Sequence, residues 1–341
     1  MDTGLIVEAL VKSLGIVVGA LTGFAYLTLL ERKFLARLQM RYGPNRAGKF
    51  GLLQPLADAI KLIFKEELIP AGADRVIFVL APIITAIPAM IIFAVIPIGG
   101  TVVMFGRPVS LVVAPTLEGG LNIGLLYLLA ITSIGVYGIA LAGWSSNNKY
   151  SLLGALRSTA QMVSYELALG ASVLSVVIMS GTLDLNQIVA AQRGVWFVFI
   201  QPLACAIFCL SVLAEVNRAP FDLPEAEQEL TAGYHTEYSG MKFALFFMAE
   251  YIKMIAVGAM AVTLFFGGYL GPGVDRYPGL GPLYFFGKVA VGLVVMVWTR
   301  ATLPRIRYDQ LMALGWKVML PLALANMALT AIVVVLLGVS S

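Results

Sequence analysis

Long apolar runs decide most of what this 341-residue chain can fold into. Eight of them, at about 13–30, 76–99, 121–144, 158–180, 195–214, 243–269, 284–299 and 318–339, alternate with polar connections. A helix needs about 20 apolar residues to cross a bilayer, and only the run at 284–299 is clearly short. Ten-residue segments of alternating polarity are missing, so the spans read as helices and not as barrel strands. A soluble domain carries roughly 25% charged residues. Here 12% are charged and 60% hydrophobic, too few polar groups to cover a globular surface. The expectation is an all-α integral membrane protein, a single polytopic domain over 1–341 with about eight transmembrane helices. The first run has no small-residue cleavage site after it, and Glu31-Arg32-Lys33 stops it directly, so it reads as a span and not as a signal peptide.

Lysine and arginine give the orientation. The connections after spans one, three, five and seven hold 17 of the 23. Cytoplasmic loops carry such an excess, so these odd-numbered loops are expected on the cytoplasmic or matrix side. Two cysteines, Cys205 and Cys209, lie in one apolar run and exclude a disulfide framework or an all-cysteine iron–sulfur site within this chain. A single histidine, His235, argues against haem or zinc, and no Walker-type glycine loop is present. Gly15, Gly19 and Gly23 recur every four residues in the first span, a spacing that allows close helix packing.

Three features remain that topology does not absorb. In the first long loop, Leu52, Leu53, Leu56, Ala57, Ile60, Ile63 and Phe64 follow helical spacing, with Gln54, Asp58, Lys61 and Lys65 on the opposite stripe. Residues 50–66 thus read as an interfacial amphipathic helix, approached by the basic residues Arg32, Lys33, Arg37, Arg41, Arg46 and Lys49. It reads either as a surface anchor or as the wall of a cavity shared with a partner. Second, Glu166, Glu250 and Lys253 lie inside spans, where ionisable groups cost about 2.5–3.5 kcal/mol each and commonly line a polar path. Glu250 and Lys253 are three apart on one helix face, placed to pair with each other. Third, the connection at 215–242 holds six carboxylates, Glu215, Asp222, Glu225, Glu227, Glu229 and Glu237. Glu225 and Glu229 are four apart, close enough for repulsion to favour shared protons. It reads as a solvated acidic loop or, from Ala219-Pro220-Phe221-Asp222-Leu223-Pro224, as a shaped and packed one.

Six motifs in order carry a resemblance over nearly the whole chain. They are Glu31-Arg32-Lys33 with Arg41-Tyr42-Gly43-Pro44-Asn45; Gly51-Leu52-Leu53-Gln54-Pro55-Leu56-Ala57-Asp58 with Lys61; Gly143-Trp144-Ser145-Ser146-Asn147 with Ser164-Tyr165-Glu166; Asn217-Arg218-Ala219-Pro220-Phe221-Asp222-Leu223-Pro224-Glu225; Glu237-Tyr238-Ser239-Gly240 with Ala249-Glu250-Tyr251; and Pro304-Arg305-Ile306-Arg307-Tyr308-Asp309. The chain resembles the H-subunit family of respiratory complex I, the NADH:quinone oxidoreductase. The resemblance implies a membrane subunit that walls a quinone chamber against soluble iron–sulfur and quinone-site subunits. Arg32, Arg41, Asp58, Tyr251 and Arg300 would line or gate the quinone path. Asp222, Glu225, Glu227 and Glu229 would start a proton relay continued by Glu215, Glu166 and Glu250 towards antiporter-like and small membrane subunits. Some family members carry a further carboxylate in the third span, which this chain lacks.

The same resemblance implies no cofactor bound by this chain alone, quinone as substrate, and FMN, NADH and iron–sulfur clusters in partner subunits. It implies a place in a bacterial plasma (inner) membrane, in contact with lipid and with no nucleic-acid partner. Two alternatives stay open at this point: the related subunit of a membrane-bound nickel–iron hydrogenase, and a stand-alone ion transporter using Glu250 and Lys253.

Overall fold

Apolar side chains that cannot face water and backbone groups that cannot go unpaired in lipid leave the helix as the cheapest solution, and helices dominate the computed structural model of this chain. It describes residues 3–104, 107–110, 123–222 and 232–337. Seven described helices are long and apolar enough to cross a membrane. They are α1 (Thr3–Leu38), α3 (Arg75–Ile91), α4 (Gly124–Ser145), α5 (Lys149–Ser180), α9 (Gly240–Phe265), α10 (Gly281–Thr302) and the run from α11 (Tyr308–Ala313) through a π-helical turn (Leu314–Met319) into α12 (Leu320–Leu337). Shorter helices are α2 (Gln54–Ile63), α6 (Leu185–Ala191), α7 (Phe197–Ile200) and α8 (Pro202–Glu215). A two-stranded antiparallel hairpin, β1 (Thr101–Met104) with β2 (Arg107–Ser110), lies between α3 and α4. The multi-pass helical membrane fold expected from hydropathy is the fold observed.

Several spans differ from their expected bounds: the run at 284–299, short in the sequence, is the 22-residue α10, α5 starts at Lys149 and the last span at Tyr308, and two others change form. The run at 195–214 is not one helix: α7 ends at Ile200, Gln201 takes φ −124° and ψ 55°, and α8 starts on Pro202. A residue before proline is pushed out of the helical region by the proline ring, and a 14-residue helix spans only about 21 Å. The break is offset by polar bonds inside the bundle. Gln201 donates to Thr330 Oγ1 (2.8 Å), and Asn326 donates to Gln201 Oε1 (3.0 Å) and to Ser175 Oγ (3.2 Å), joining α5, α8 and α12. The other difference is α1, which continues past Leu30 to Leu38. Arg, Lys, Leu and Ala are strong helix formers, so Glu31-Arg32-Lys33 ends the apolar run without ending the helix.

Packing centres on α5, α8 and α9, with Phe208, Phe265, Tyr251, Leu169 and Val212 in the largest buried cluster. The α3–α4 crossing is close enough to require glycine. A Cβ on Gly138 would overlap Thr85 Oγ1 and stand 2.8 Å from the Thr85 nitrogen. Asp74 caps α3 by accepting from the Val76 and Ile77 N–H groups, and Asn148 caps α5 through Tyr150 N–H. Backbone bonds join helix ends across the bundle: the Asp74 N–H donates to the Ser145 carbonyl and the Ile306 N–H to the Pro220 carbonyl, both at 3.2 Å.

Candidate functional site

Glu31 is the centre of a buried ionic chain. It lies on α1 with only 4% of its side chain exposed, and it accepts from both Arg218 Nη1, at 3.3 Å, and Arg300 Nη1. Arg218 follows α8 and is 7% exposed. Its Nε lies 2.7 Å from Glu250 on α9, and its guanidinium carbon stands 4.3 Å from the Tyr251 ring centroid. Four elements therefore contribute alternating charges in the order Arg300, Glu31, Arg218, Glu250. Burial works against the Arg218 charge, but Glu250 first, then Tyr251 and Glu31, outweigh it and hold the guanidinium more firmly protonated than usual.

The turn that carries Arg218 is fixed from α5. Gln161 donates to the carbonyls of Ala214 (2.8 Å) and Phe221 (2.9 Å) and to Asn217 Oδ1 (3.2 Å). Asn217 donates in turn to Ser158 Oγ at 3.1 Å. These bonds satisfy carbonyls at and beyond the end of α8 that the helix itself cannot use. They also explain why a loop residue such as Arg218 can be as buried as a core side chain.

The second set of charges adjoins the first. Lys253 Nζ, on α9, lies 3.0 Å from the Glu215 carboxylate at the end of α8. Lys253 therefore pairs with Glu215 and not with Glu250, the partner expected from their spacing, and Glu250 turns to Arg218. Both partners come from outside α9: Glu215 ends α8, and Arg218 follows it. Glu166 on α5 accepts from Ser133 Oγ on α4 and lies within electrostatic range of Glu215 and Lys253. Glu215, Glu250 and Lys253 line one pocket with Thr132, Asn217 and Tyr234.

Towards the surface, Arg32 lies 2.6 Å from Asp58, which ties α2 to the last turns of α1. Lys61 stands 3.9 Å from the same carboxylate, and Gln54 donates to it at 3.1 Å. Arg41 is exposed, and its Nε donates to Gln39, so it does not join this cluster. Asp222 is half-buried at the end of the described stretch; Glu225, Glu227 and Glu229 lie outside the described residues. Of the expected quinone-path residues, Tyr251 and Arg300 meet the relay residue Glu250 through Glu31 and Arg218, while Arg32 and Asp58 form a separate pair. Among the described residues no group of three His, Cys, Asp or Glu side chains is placed to hold a metal ion.

Sequence reading missed Glu31 and Arg218 as site residues. The signal for Glu31 was present: a carboxylate at the edge of a long apolar run that the helix carries into the bundle is costly to bury without a cationic partner. Arg218 had a weaker signal, as the lone arginine between Glu215 and the five carboxylates that follow it in the same connection.

Fold and site together define a multi-pass helical membrane protein with a charged axis buried across one end of its bundle. The family model described as NADH dehydrogenase matches residues 11–331. The chain is 54% identical over 314 residues to H subunit 2 of the NADH-quinone oxidoreductase of Syntrophobacter fumaroxidans, covering 92% of each chain. It is 53% identical over 335 residues to H subunit 1 of the Geobacter sulfurreducens enzyme, covering 96% of this chain and 95% of that one. The H subunit of Thermomicrobium roseum is 53% identical over 319 residues, with 91% of each chain covered. The chain belongs to the H-subunit family of NADH-quinone oxidoreductase, and it is a membrane subunit of that enzyme complex.

Proposed function

We propose that this chain forms the membrane wall of a quinone-binding chamber and couples quinone reduction to proton translocation through its buried carboxylates. The observation that carries the reading is the ionic chain from Arg300 through Glu31 and Arg218 to Glu250. It links residues assigned to the quinone path with residues assigned to the proton relay through successive ion-pair contacts of 3.3 Å or less. Quinone enters from the lipid beside α2 and accepts two electrons and two protons to become quinol. FMN and iron–sulfur clusters in soluble partners supply the electrons, because this chain has only two cysteines and cannot ligate a four-thiolate cluster. The protons drawn to the reduced quinone alter the balance of charge at Arg300 and Glu31. Arg218 passes that change to Glu250, and the adjoining Glu215, Lys253 and Glu166 carry it towards antiporter-like and small membrane subunits. Asp222, Glu225, Glu227 and Glu229 form the acidic approach to the same relay. Arg32 and Asp58 line the outer path, and Arg41, apart from that pair, gates it at the surface.

The lysine- and arginine-rich loops face the cytoplasm of a bacterial plasma membrane in this reading. The test is on the native complex: tag this chain, extract the membranes in mild detergent, identify what copurifies, and assay NADH:quinone reduction with and without a quinone-site inhibitor. Iron–sulfur partners with inhibitor-sensitive activity support the assignment. A nickel–iron partner with hydrogen evolution, or a chain that purifies alone from gently treated membranes, overturns it. Within an active complex, Glu225→Gln lowers coupled turnover; parent rate and parent pumping in that variant would remove Glu225 from the relay.

A further inference from the structure

The connection that follows α2 is bound to the first turn of α9 in three different ways. Ser239 Oγ donates to the Glu66 carbonyl at 3.2 Å and accepts from the Leu68 N–H at 3.3 Å. One turn further, Lys242 Nζ lies 2.6 Å from the Glu67 carboxylate. The Lys242 side chain is 12% exposed and stands 6.0 Å from the Phe78 ring centroid, so its charge has little water to fall back on. Gly240, between the two, has φ +58°, and a Cβ there would stand 3.0 Å from Glu67 Cγ and 3.2 Å from the Lys65 carbonyl. The backbone of α9 is thus packed closely against residues 65–68, at a left-handed position that favours glycine.

Both ends of this contact lead to the site. Residue 65 lies two positions past the end of α2, whose Asp58 holds Arg32 next to Glu31. From Lys242, eight residues of unbroken helix, about 12 Å, lead to Glu250. A helix two turns long moves as a rigid piece, so a shift at its first turn is carried to the Glu250–Arg218 contact. The interfacial helix is therefore held at two points, by Asp58 to α1 and by the 66–68 backbone and side chains to α9.

We propose that residues 65–68 are a strap that sets the position of α2 relative to α9, with Glu67, Ser239 and Lys242 as positioning residues for Asp58 on one side and Glu250 on the other. The role rests on the quinone-path and relay reading given above. The intact complex in membrane vesicles tests it, with Glu67→Lys, Lys242→Glu, both together, and Ser239→Ala as the mildest change. The readouts are KM and kcat for quinone, protons moved per electron, and NADH oxidation by an artificial acceptor that bypasses quinone. Each charge reversal is expected to raise KM for quinone about threefold or more, with a smaller change in kcat, and to lower the proton-to-electron ratio. The double reversal restores both, and the bypass rate stays at its parent value throughout. Parent KM and parent stoichiometry in the single variants overturn the strap, as does a double variant no better than the worse single. If the reversals fail to assemble, Ser239→Ala decides: a raised KM at parent kcat supports the strap, and an unchanged KM overturns it. A parent complex without inhibitor-sensitive quinone reduction overturns the functional reading itself, and the strap's role with it.

Discussion

Arg218→Met is the perturbation that tests the buried axis most directly. The guanidinium faces two carboxylates, Glu250 at 2.7 Å and Glu31 at 3.3 Å, and neither has much access to water. Methionine keeps an unbranched apolar stem of similar length and removes the charge. Removing one partner of a buried ion pair costs about 3–5 kcal/mol, because the charge left behind has lost its compensation. Arg300 still reaches Glu31, though from a position that is 33% exposed and so partly screened by water. The lower end of that range, about 3 kcal/mol, is the expected loss, which is on the order of 100-fold against the native arrangement.

The assay is the amount of assembled complex on native gels, with the Tm of the detergent-solubilised complex as a second measure. Arg218→Met is expected to leave a small fraction of the parent amount, melting well below it. Adding Glu250→Gln removes one of the stranded negative charges while keeping the side chain's shape, so the double variant assembles better than the single one. Arg218→Lys falls between parent and Arg218→Met, since a compact ammonium cannot serve two carboxylates with the fork that guanidinium offers. An Arg218→Met complex that assembles and melts like the parent would refute the argument. So would a double variant that assembles no better than the single one.

The outer pair behaves differently. Arg32 and Asp58 have 46% and 24% of their side chains exposed, so Asp58→Asn changes stability by less than about 1 kcal/mol while raising KM for quinone; a parent KM would remove Asp58 from the path. Gly138→Ala places a Cβ against Thr85 and is expected to abolish assembly, whereas Gly170→Ala, with nothing within 4 Å, leaves the native-gel band unchanged. The Tyr238 hydroxyl, outside the spans, is pushed up to about 12 by burial, with Ser145 and Ser146 pulling it partly back. Its folded value lies above the unfolded one, so its stabilising contribution is complete below about pH 10 and is lost as the pH rises from there through about 12. Alkaline melting curves of Tyr238→Phe should lack that part of the decline.

Hydropathy made the helical membrane fold legible because lipid leaves a spanning chain few alternatives. Its limits came from local chemistry. Proline at 202 was visible, but that Gln201 would break the helix and be satisfied by Asn326 and Thr330 depends on residues more than 100 positions away. The change of charge density at Glu31 marked where the apolar run stops, yet helix propensity carried α1 onward to Leu38. At the site, spacing correctly placed Glu250 and Lys253 on one face of α9. It could not show that Arg218 and Glu215 would compete successfully for them, since those partners arrive through a turn held by Gln161. Residues 31 and 32 are the sharpest case. Consecutive positions on a helix point about 100° apart, so Glu31 faces inward to Arg218 and Arg300 while Arg32 faces outward to Asp58.

Among the described residues the paired charges along the axis do not balance, and the imbalance has a place. Arg300, Arg218 and Lys253 give three cations; Glu31, Glu250, Glu215 and Glu166 give four carboxylates. Each of the first three carboxylates has a cation in direct contact, whereas Glu166 meets a hydroxyl, Ser133, with Lys253 acting only at longer range. Buried charge without a partner is what a low-dielectric interior tolerates least, so one proton brings this set to neutrality, and Glu166 is where it does least harm to existing pairs. Two substitutions of identical chemistry should then have opposite consequences. Glu31→Gln leaves Arg300 without its carboxylate and Arg218 with Glu250 alone, and lowers the amount of assembled complex. Glu166→Gln keeps the uncharged form of that side chain, so assembly and Tm are maintained, while proton translocation per electron falls because the exchangeable site is gone. The two variants are compared on native gels and by pumping into sealed vesicles at matched quinone reductase rates. Equal losses of assembly, or parent stoichiometry in Glu166→Gln, would show that the surplus proton resides elsewhere on the axis.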